Sequence, residues 1–390
     1  MNTVYDVVIA GAGLVGLSLA PALSRSGLSV ALVDRGSMAD DEHAPDTFDA
    51  RIYAISPGSA AFLRAVGAWQ TLRCERIAAI ESMHVEGDAG GSLDFSAYDL
   101  GERALAWIVE ERELRTALLR TVRRAGVDMI GDATLDALMW SAPAGTLRLA
   151  DGRTLEARLI VGADGARSWV REAAGIVAEP KSYGQTAVVA NFACERAHHG
   201  RAYQWFRADG GVLAWLPLPG RRMSMVWSAP EALAQTLLAE NGEVLSARVA
   251  EAGGYALGAH SCITPATGFP LRFLRLPTSV ALRLALVGDA AHGVHPLAGQ
   301  GVNLGFGDAQ SLSTVLAERG PVSDPGAPIL LERYARRRAE PVLAMQAVTD
   351  GLARLFGPPT PWLKALRNAG ISAVDRLPLL KRALAQPALR

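Results

Sequence analysis

Gly11-Ala12-Gly13-Leu14-Val15-Gly16 sets three glycines at G-x-G-x-x-G spacing, between an apolar run, Val4–Ala10, and a stretch of helical spacing, Leu14–Ser26. The three glycines do different things. Gly11 permits a tight turn, Gly13 lets the backbone approach a pyrophosphate, and Gly16 lets the helix pack on the strand. The helix N-terminus then offers free N–H groups and its positive dipole end to phosphates. Asp34 closes the next apolar run, just before Arg35 and 18 residues after Gly16. That is close to the spacing expected of a carboxylate that accepts ribose hydroxyls. The loop alone suits NAD and FAD equally.

Two more carboxylates stand at strand ends, Asp164 in Val161-Gly162-Ala163-Asp164-Gly165 and Asp289 in Leu286-Val287-Gly288-Asp289-Ala290. Downstream, Gly299, Gly301, Gly305 and Gly307 crowd the start of one helix. Such a cluster points to a ligand that approaches the backbone closely. Beside it, His292 and His295 are the side-chain candidates for a general base, and the Pro296 carbonyl is an equally good acceptor.

The elements that must position these residues follow from periodicity. A strand–helix–strand unit fills the first 35 residues. Thr146–Ala150 and Thr154–Val161 alternate around Asp151-Gly152, a hairpin signal. Gln185–Phe192, Ala202–Arg207, Val212–Leu216 and Arg222–Trp227 read as successive strands, Pro230–Ala252 as helix, and Leu330–Phe356 as a long helix kinked or interrupted at Pro341. Tyr203, Trp205, Trp215 and Trp227 recur at period two and make an apolar wall. Val7–Ser24 carries no charge, but Gly11, Gly13, Gly16 and Pro21 mark it as a buried strand entering a buried helix rather than a membrane span. Lys+Arg and Asp+Glu both number 39, which gives no case for nucleic acid. Three scattered cysteines, Cys74, Cys194 and Cys262, exclude a disulfide framework or a Cys-rich metal site and fit a reducing cytoplasm.

The Asp164 and Asp289 strings resemble the Asp-Gly and Gly-Asp motifs of flavin-dependent aromatic hydroxylases. The string His295-Pro296-Leu297-Ala298-Gly299-Gln300-Gly301-Val302-Asn303-Leu304-Gly305-Phe306-Gly307-Asp308 resembles the signature of the ubiquinone-biosynthesis FAD-dependent hydroxylases. Arg51-Ile52-Tyr53-Ala54-Ile55-Ser56 is similar to that family's Arg-bearing loop beside the flavin, and Glu111-Arg112 stands at its flavin-contacting helix start, with Arg112 the favoured contact. The resemblance implies an α/β fold: a Rossmann-like FAD-binding domain (1–75, 100–180, 268–345) with an inserted α+β substrate domain (76–99, 181–267) carrying a mostly antiparallel sheet, and a C-terminal helical tail (346–390). It implies FAD held by the Gly11–Gly16 loop, Asp34, Arg35, Arg51, Arg112, Asp164, Asp289 and the Pro296–Asn303 segment. Backbone N–H groups of Gly301, Val302 and Asn303 would face the pyrimidine end of the ring.

The implied chemistry uses NADH or NADPH as a transient reductant and O₂ as co-substrate, and a flavin C4a-hydroperoxide hydroxylates the aromatic ring. The implied substrate is a polyprenylated phenol, under a roof that includes Tyr203, Trp205, Trp215 and Trp227. Two alternatives stand beside it: a hydroxylase of small soluble aromatics, and a non-catalytic flavin-loaded scaffold. Between Gly351 and Arg390, Arg354, Lys364, Arg367, Arg376, Lys381, Arg382 and Arg390 face one acid, Asp375. The expected role of this basic tail is peripheral contact with an inner-membrane surface or a biosynthetic complex.

Overall fold

The computed structural model describes residues 4–39, 47–141, 143–295, 299–320 and 322–356, with 367–368, 370–371, 374–375, 381–382, 386 and 389. Three sheets organise the chain. The first is a parallel core, with β8 (Asp128–Ile130), β2 (Val30–Val33), β1 (Val4–Ala10), β11 (Thr154–Gly162) and β19 (Leu284–Leu286) side by side. Short β18 (Val280–Ala281) and the hairpin pair β9 (Leu135–Trp140) and β10 (Gly145–Leu149) join it antiparallel. Its strands are buried on both faces, as parallel sheets require. Val7, Ile9, Leu32, Leu159 and Val161 pack under α1 (Leu14–Ser24), α4 (Glu111–Arg124), α8 (Gly301–Ala317) and the start of α9 (Pro328–Leu355). Val8, Ala10, Ala31, Val33 and Ile160 pack under the hairpin.

The second sheet has the order β20 (His292–Gly293), β17 (Thr267–Arg275), β12 (Lys181–Cys194), β15 (Arg222–Pro230), β14 (Val212–Leu218), β13 (Arg201–Phe206), β5 (Ser82–Glu86), β6 (Ser92–Ser96), with β16 (His260–Cys262) also on β12. All its pairings are antiparallel except that of β13 with β5. Because β17 pairs with β12, this sheet continues past the expected boundary at 267 to Arg275. A small third sheet, β3 (Ile52–Ile55), β7 (Ala106–Glu110) and β4 (Ala78–Ile80), lies at the domain junction. Further helices are α2 (Pro57–Ala65), α3 (Ala97–Leu100), α5 (Trp169–Ala173), α6 (Glu231–Ala239) and α7 (Gly242–Ala252).

Two local expectations change. Pro230–Ala252 is two helices, because the Asn241 carboxamide takes the N–H groups of Glu243 and Val244 and starts a new one. Pro341 does not interrupt α9, which runs through it. A proline removes one intrahelical bond, and here the residue is exposed, where water can take the freed carbonyl. Among the described residues no helix is long and apolar enough to cross a membrane.

Candidate functional site

The cradle between β1 and α1 behaves as its glycines predict. Gly11 has φ +112°, and a Cβ there would meet the Ala163 carbonyl oxygen at 2.4 Å. A Cβ on Gly16 would lie 2.0 Å from the Gly11 carbonyl oxygen, so any side chain would push α1 off β1. Gly13 is the contrast: nothing lies within 4 Å of where its Cβ would be. The loop is therefore closed on its protein side and open at Gly13, where a diphosphate would approach. Leu14 opens the helix, and Val15 fills a notch between Gly288 and Gly305.

Asp34 ends β2 and turns back to the cradle. Its carboxylate accepts from the Ala12 N–H at 2.5 Å and the Gly36 N–H at 2.7 Å. A carboxylate has about four acceptor positions, so capacity remains for ribose hydroxyls. Arg35 is exposed. Arg115, four residues after Glu111 on α4, donates to the carbonyls of Ala12 at 2.7 Å and Ser37 at 3.0 Å. It ties the cradle to the next loop, and its only sequence signal is that helical spacing.

Asp289 stands on a tight turn at Gly288–Ala290. It is open to solvent-sized space yet walled in by protein, and desolvation raises its carboxyl pKa against the pull of His292 and Arg51. Behind the turn lies a buried charge network. Asp308 on α8 accepts from the Gly288 N–H at 2.8 Å and the Arg338 Nε at 2.6 Å, and pairs with the His292 Nε2 at 2.6 Å. Burial would push the His292 pKa down, but the charge and hydrogen bond of Asp308 outweigh it and raise it, which favours the protonated ring. Burial would raise Asp308, but His292, Arg338 and the Gly288 N–H keep it below the usual carboxylate range. His292 is thus committed to structure. Asp308 and Arg338 were not among the expected site residues, although Asp308 closes the glycine-rich string.

Gly299 has φ +66°, and a Cβ there would press on Ala54. Gln300 caps α8, Gly301 has open space where a Cβ would be, and Val302 packs on the core. The Asn303 carboxamide acts like a strand partner for the end of β3: it accepts from the Ser56 N–H at 3.0 Å and donates to the Ala54 carbonyl at 2.8 Å. The helix start and the Arg51 strand are therefore fixed to one another. Pro296 lies outside the described residues.

His295 is 1 % exposed, and its Nε2 is 2.9 Å from Gln185 Oε1. The Gln185 amide N–H₂ donates to the Gly210 carbonyl, which leaves its oxygen for the histidine. Nε2 therefore carries the proton, and Nδ1 is a bare acceptor with no partner among the described residues. Burial pushes its pKa down to about 4, so the ring is neutral and a weak base. The Tyr183 ring stands edge-on to it at 4.9 Å.

Three arginines at the junction are each paired. Arg51 meets Glu111 at 3.1 Å and lies over the rings of Tyr53 and Phe269, within electrostatic reach of Asp289. Arg76 meets Glu110 at 2.6 Å. The Arg112 guanidinium turns to Thr47 and Glu110, away from the cradle. Asp164 is likewise engaged locally: it accepts from Ser168 Oγ at 2.5 Å and the Val170 N–H at 3.0 Å, and so closes the turn into α5. Arg171 on α5 joins that turn to the Asp289 turn by donating to the Ala166 and Ala290 carbonyls.

The aromatic wall has the opposite parity to that needed for a roof. Trp205, Trp215 and Trp227 are 9 %, 1 % and 3 % exposed and form, with half-buried Tyr203, the core beneath α6 and α7. The alternate residues face the flavin side. Registers align Gln204 with Ala214, Ala214 with Val226, and Val226 with Val189. Of these Ala214 and Val226 remain half-buried on the face turned away from α6 and α7, as does Phe269 on β17, over which the Arg51 guanidinium lies. Helices α6 and α7 must cover one face, and the bulkier face is the one that gains most from burial.

This geometry fits FAD: an open diphosphate cradle, a ribose-spaced carboxylate, a solvent-reached aspartate on a braced turn, and an open helix start. A profile of the family described as FAD binding domain matches residues 4–349. The chain is 38 % identical to "Ubiquinone hydroxylase UbiL" of Rhodospirillum rubrum, covering 98 % of this chain and 88 % of that protein. It is 34 % identical to the 3-demethoxyubiquinol 3-hydroxylase of Escherichia coli, covering 98 % and 97 %. Among solved structures, PqsL of P. aeruginosa in complex with 2-aminobenzoylacetate superposes with a TM-score of 0.80 at 26 % identity, covering 95 % of this chain and 99 % of that one.

Proposed function

The chain belongs to the FAD binding domain family, and from that premise we propose that it is the monooxygenase that hydroxylates the ring of a polyprenylated phenol on the way to ubiquinone. Bound FAD, reduced by NADH or NADPH, supplies the activation of O₂ and the transfer of one oxygen atom to the ring. The protein's own residues hold, orient and exclude water. The Gly11–Gly16 loop and the α1 N-terminus take the diphosphate, Asp34 the ribose and Asp289 the ribityl side. The α8 N-terminus presents N–H groups where negative charge develops.

One observation carries the substrate class. Ala214 and Val226 on the junction surface are uncharged, and the arginines beside it are engaged, Arg51 with Glu111, and Arg76 and Arg112 with a shared Glu110. An aromatic acid needs a cation free to clamp its carboxylate. A neutral prenylated phenol needs only an apolar wall. The neutral His295 ring, fixed by Gln185, then serves as a hydrogen-bond acceptor for the phenol hydroxyl at Nδ1 rather than as a proton store, a role it shares with the Pro296 carbonyl.

The test is NAD(P)H oxidation under ¹⁸O₂ with a short-chain polyprenyl phenol and, in parallel, with a hydroxybenzoate. Labelled hydroxylated prenyl product with little turnover of the acid is expected. Efficient hydroxylation of the acid alone would overturn the reading, and no reductant consumption with either compound would favour the scaffold. The tail adds a peripheral membrane contact to the proposal, since a polyprenyl substrate resides in the bilayer. That contact is reduced by the engagement of Arg354 with Asp350, Arg367 with Asp88 and Lys381 with Asp375.

A further inference from the structure

Asn191 sits on the junction face of β12 and is 0 % exposed. Its side-chain Nδ2 crosses the domain junction and donates to the Asp49 carbonyl at 2.8 Å. Asp49 is a hub on the flavin side. Its carboxylate accepts from the Arg51 N–H at 3.0 Å and the Arg112 N–H at 3.3 Å, while its own N–H donates to Glu110 Oε2 at 2.6 Å. Glu110 is in turn buried against Arg76. The Asp49–Arg51 loop is therefore closed by one internal bond and held by two bonds to Glu110 and Arg112 of its own domain and by this one from the substrate domain.

The backbone of Asn191 is itself fixed, its N–H donating to Thr264 Oγ1 at 2.9 Å. A shift of β12 relative to the flavin domain must then move Asp49 or break a buried hydrogen bond. Two residues on, the Arg51 guanidinium lies over Phe269, which belongs to β17 on the same face of the same sheet.

We infer that Asn191 is a positioning residue that acts through Asp49 to hold Arg51 against the FAD site. The inference rests on the assignment of Arg51 to the flavin side, and not on the identity of the phenol. The Asn191 side chain itself touches no substrate or cofactor. It fixes from the substrate domain where a flavin-side cation stands.

A double-mutant cycle on the full chain tests this, with FAD affinity read by flavin fluorescence in the absence of any phenol. Asn191→Leu keeps the volume and removes the donor, and it should weaken FAD about tenfold, as should Arg51→Ala. The double variant should be no more than about twofold worse than Arg51→Ala alone, because both changes remove the same interaction. Ser246→Ala, which deletes a buried hydroxyl that donates to the Gly242 carbonyl within α7, should leave FAD affinity unchanged. Should leucine fail to pack, Asn191→Ser removes the same bond and is read in the same way. Multiplicative losses near a hundredfold, or full FAD affinity in the folded Asn191 variants, would overturn the inference. Because no phenol is present, failure of the substrate assignment leaves the result intact.

Discussion

The diphosphate cradle and the substrate wall are built on opposite principles. The cradle uses backbone: glycines whose missing Cβ atoms let β1, α1 and the Ala163 loop close on one another, and one that leaves a gap. The wall uses side chains on strands, where a one-residue change of parity exchanges every contact. Tyr203, Trp205, Trp215 and Trp227 lie under α6 and α7, while smaller residues such as Ala214 and Val226 face the flavin side. A backbone site is specified by residue type at a position. A side-chain wall is specified only once it is known which face the helices cover.

The largest effects are expected in the cradle. Gly16→Val would place its Cβ 2.0 Å from a backbone oxygen that cannot yield, so this variant should lose FAD and melt well below the parent. Gly13→Ala meets no protein atom and has an ordinary φ of −73°. It should melt with the apo parent yet bind FAD at least about tenfold more weakly. Parent-like FAD affinity in Gly13→Ala would show that the diphosphate lies elsewhere.

Much of this was legible from the chain. The strand–glycine–helix context carries its own geometry, so Gly11, Gly13, Gly16 and Asp34 fall where their spacing puts them. The hairpin at Asp151-Gly152 likewise forms, with Gly152 at φ +88°. Less legible were contacts between distant segments. Nothing local in Asn191, Arg115 or Arg338 announces a partner 30 or more residues away. Arg112 and Asp164 stand at flavin-motif positions, yet their side chains are spent on Thr47, Glu110 and the α5 turn. A motif fixes where the backbone goes more firmly than where each side chain points.

The wall should separate stability from selectivity. Trp215→Ala removes a fully buried indole and should cost about 3–5 kcal/mol, measured by urea unfolding. The surviving folded enzyme should keep its preference for a prenylated phenol over a hydroxybenzoate. Val226→Glu, on the opposite face of the same sheet, should cost less than about 1 kcal/mol, because the position is half-buried. It should nonetheless raise KM for the prenylated phenol about tenfold or more by placing a charge on the apolar surface. If Trp215→Ala shifts the preference and Val226→Glu does not, the tryptophan face is the roof after all.

The smallest effect distinguishes two histidines that lie between these regions. His292 belongs to the cradle side, its pKa raised by Asp308, and His295 to the wall, its pKa lowered by burial beside Gln185. Their contributions to stability must run in opposite directions with pH. The folded pKa of His295 is about 4 against 6.5 in the unfolded chain, so the unfolded state binds more protons between those values. Its share of stability is full above pH 6.5 and is lost as pH falls toward 4. The folded pKa of His292 is raised, so its share is full below pH 6.5 and is lost as pH rises through the raised value. Each histidine contributes a slope of at most ~1.4 kcal/mol per pH unit within its window. Asp308, lowered in the fold, adds slope only around and below its unfolded value of 3.8; His260, also pushed down to about 4 by burial, shares the acid limb with His295, while Asp289 and Glu111, raised by burial, oppose it. Urea unfolding across this range should therefore show His295→Leu with a lower acid-limb slope than the parent and an unchanged alkaline limb. His292→Gln should flatten the alkaline limb instead. An acid limb untouched by His295→Leu would mean that the folded pKa stays near its unfolded value of 6.5, and it would return His295 to the status of a working base.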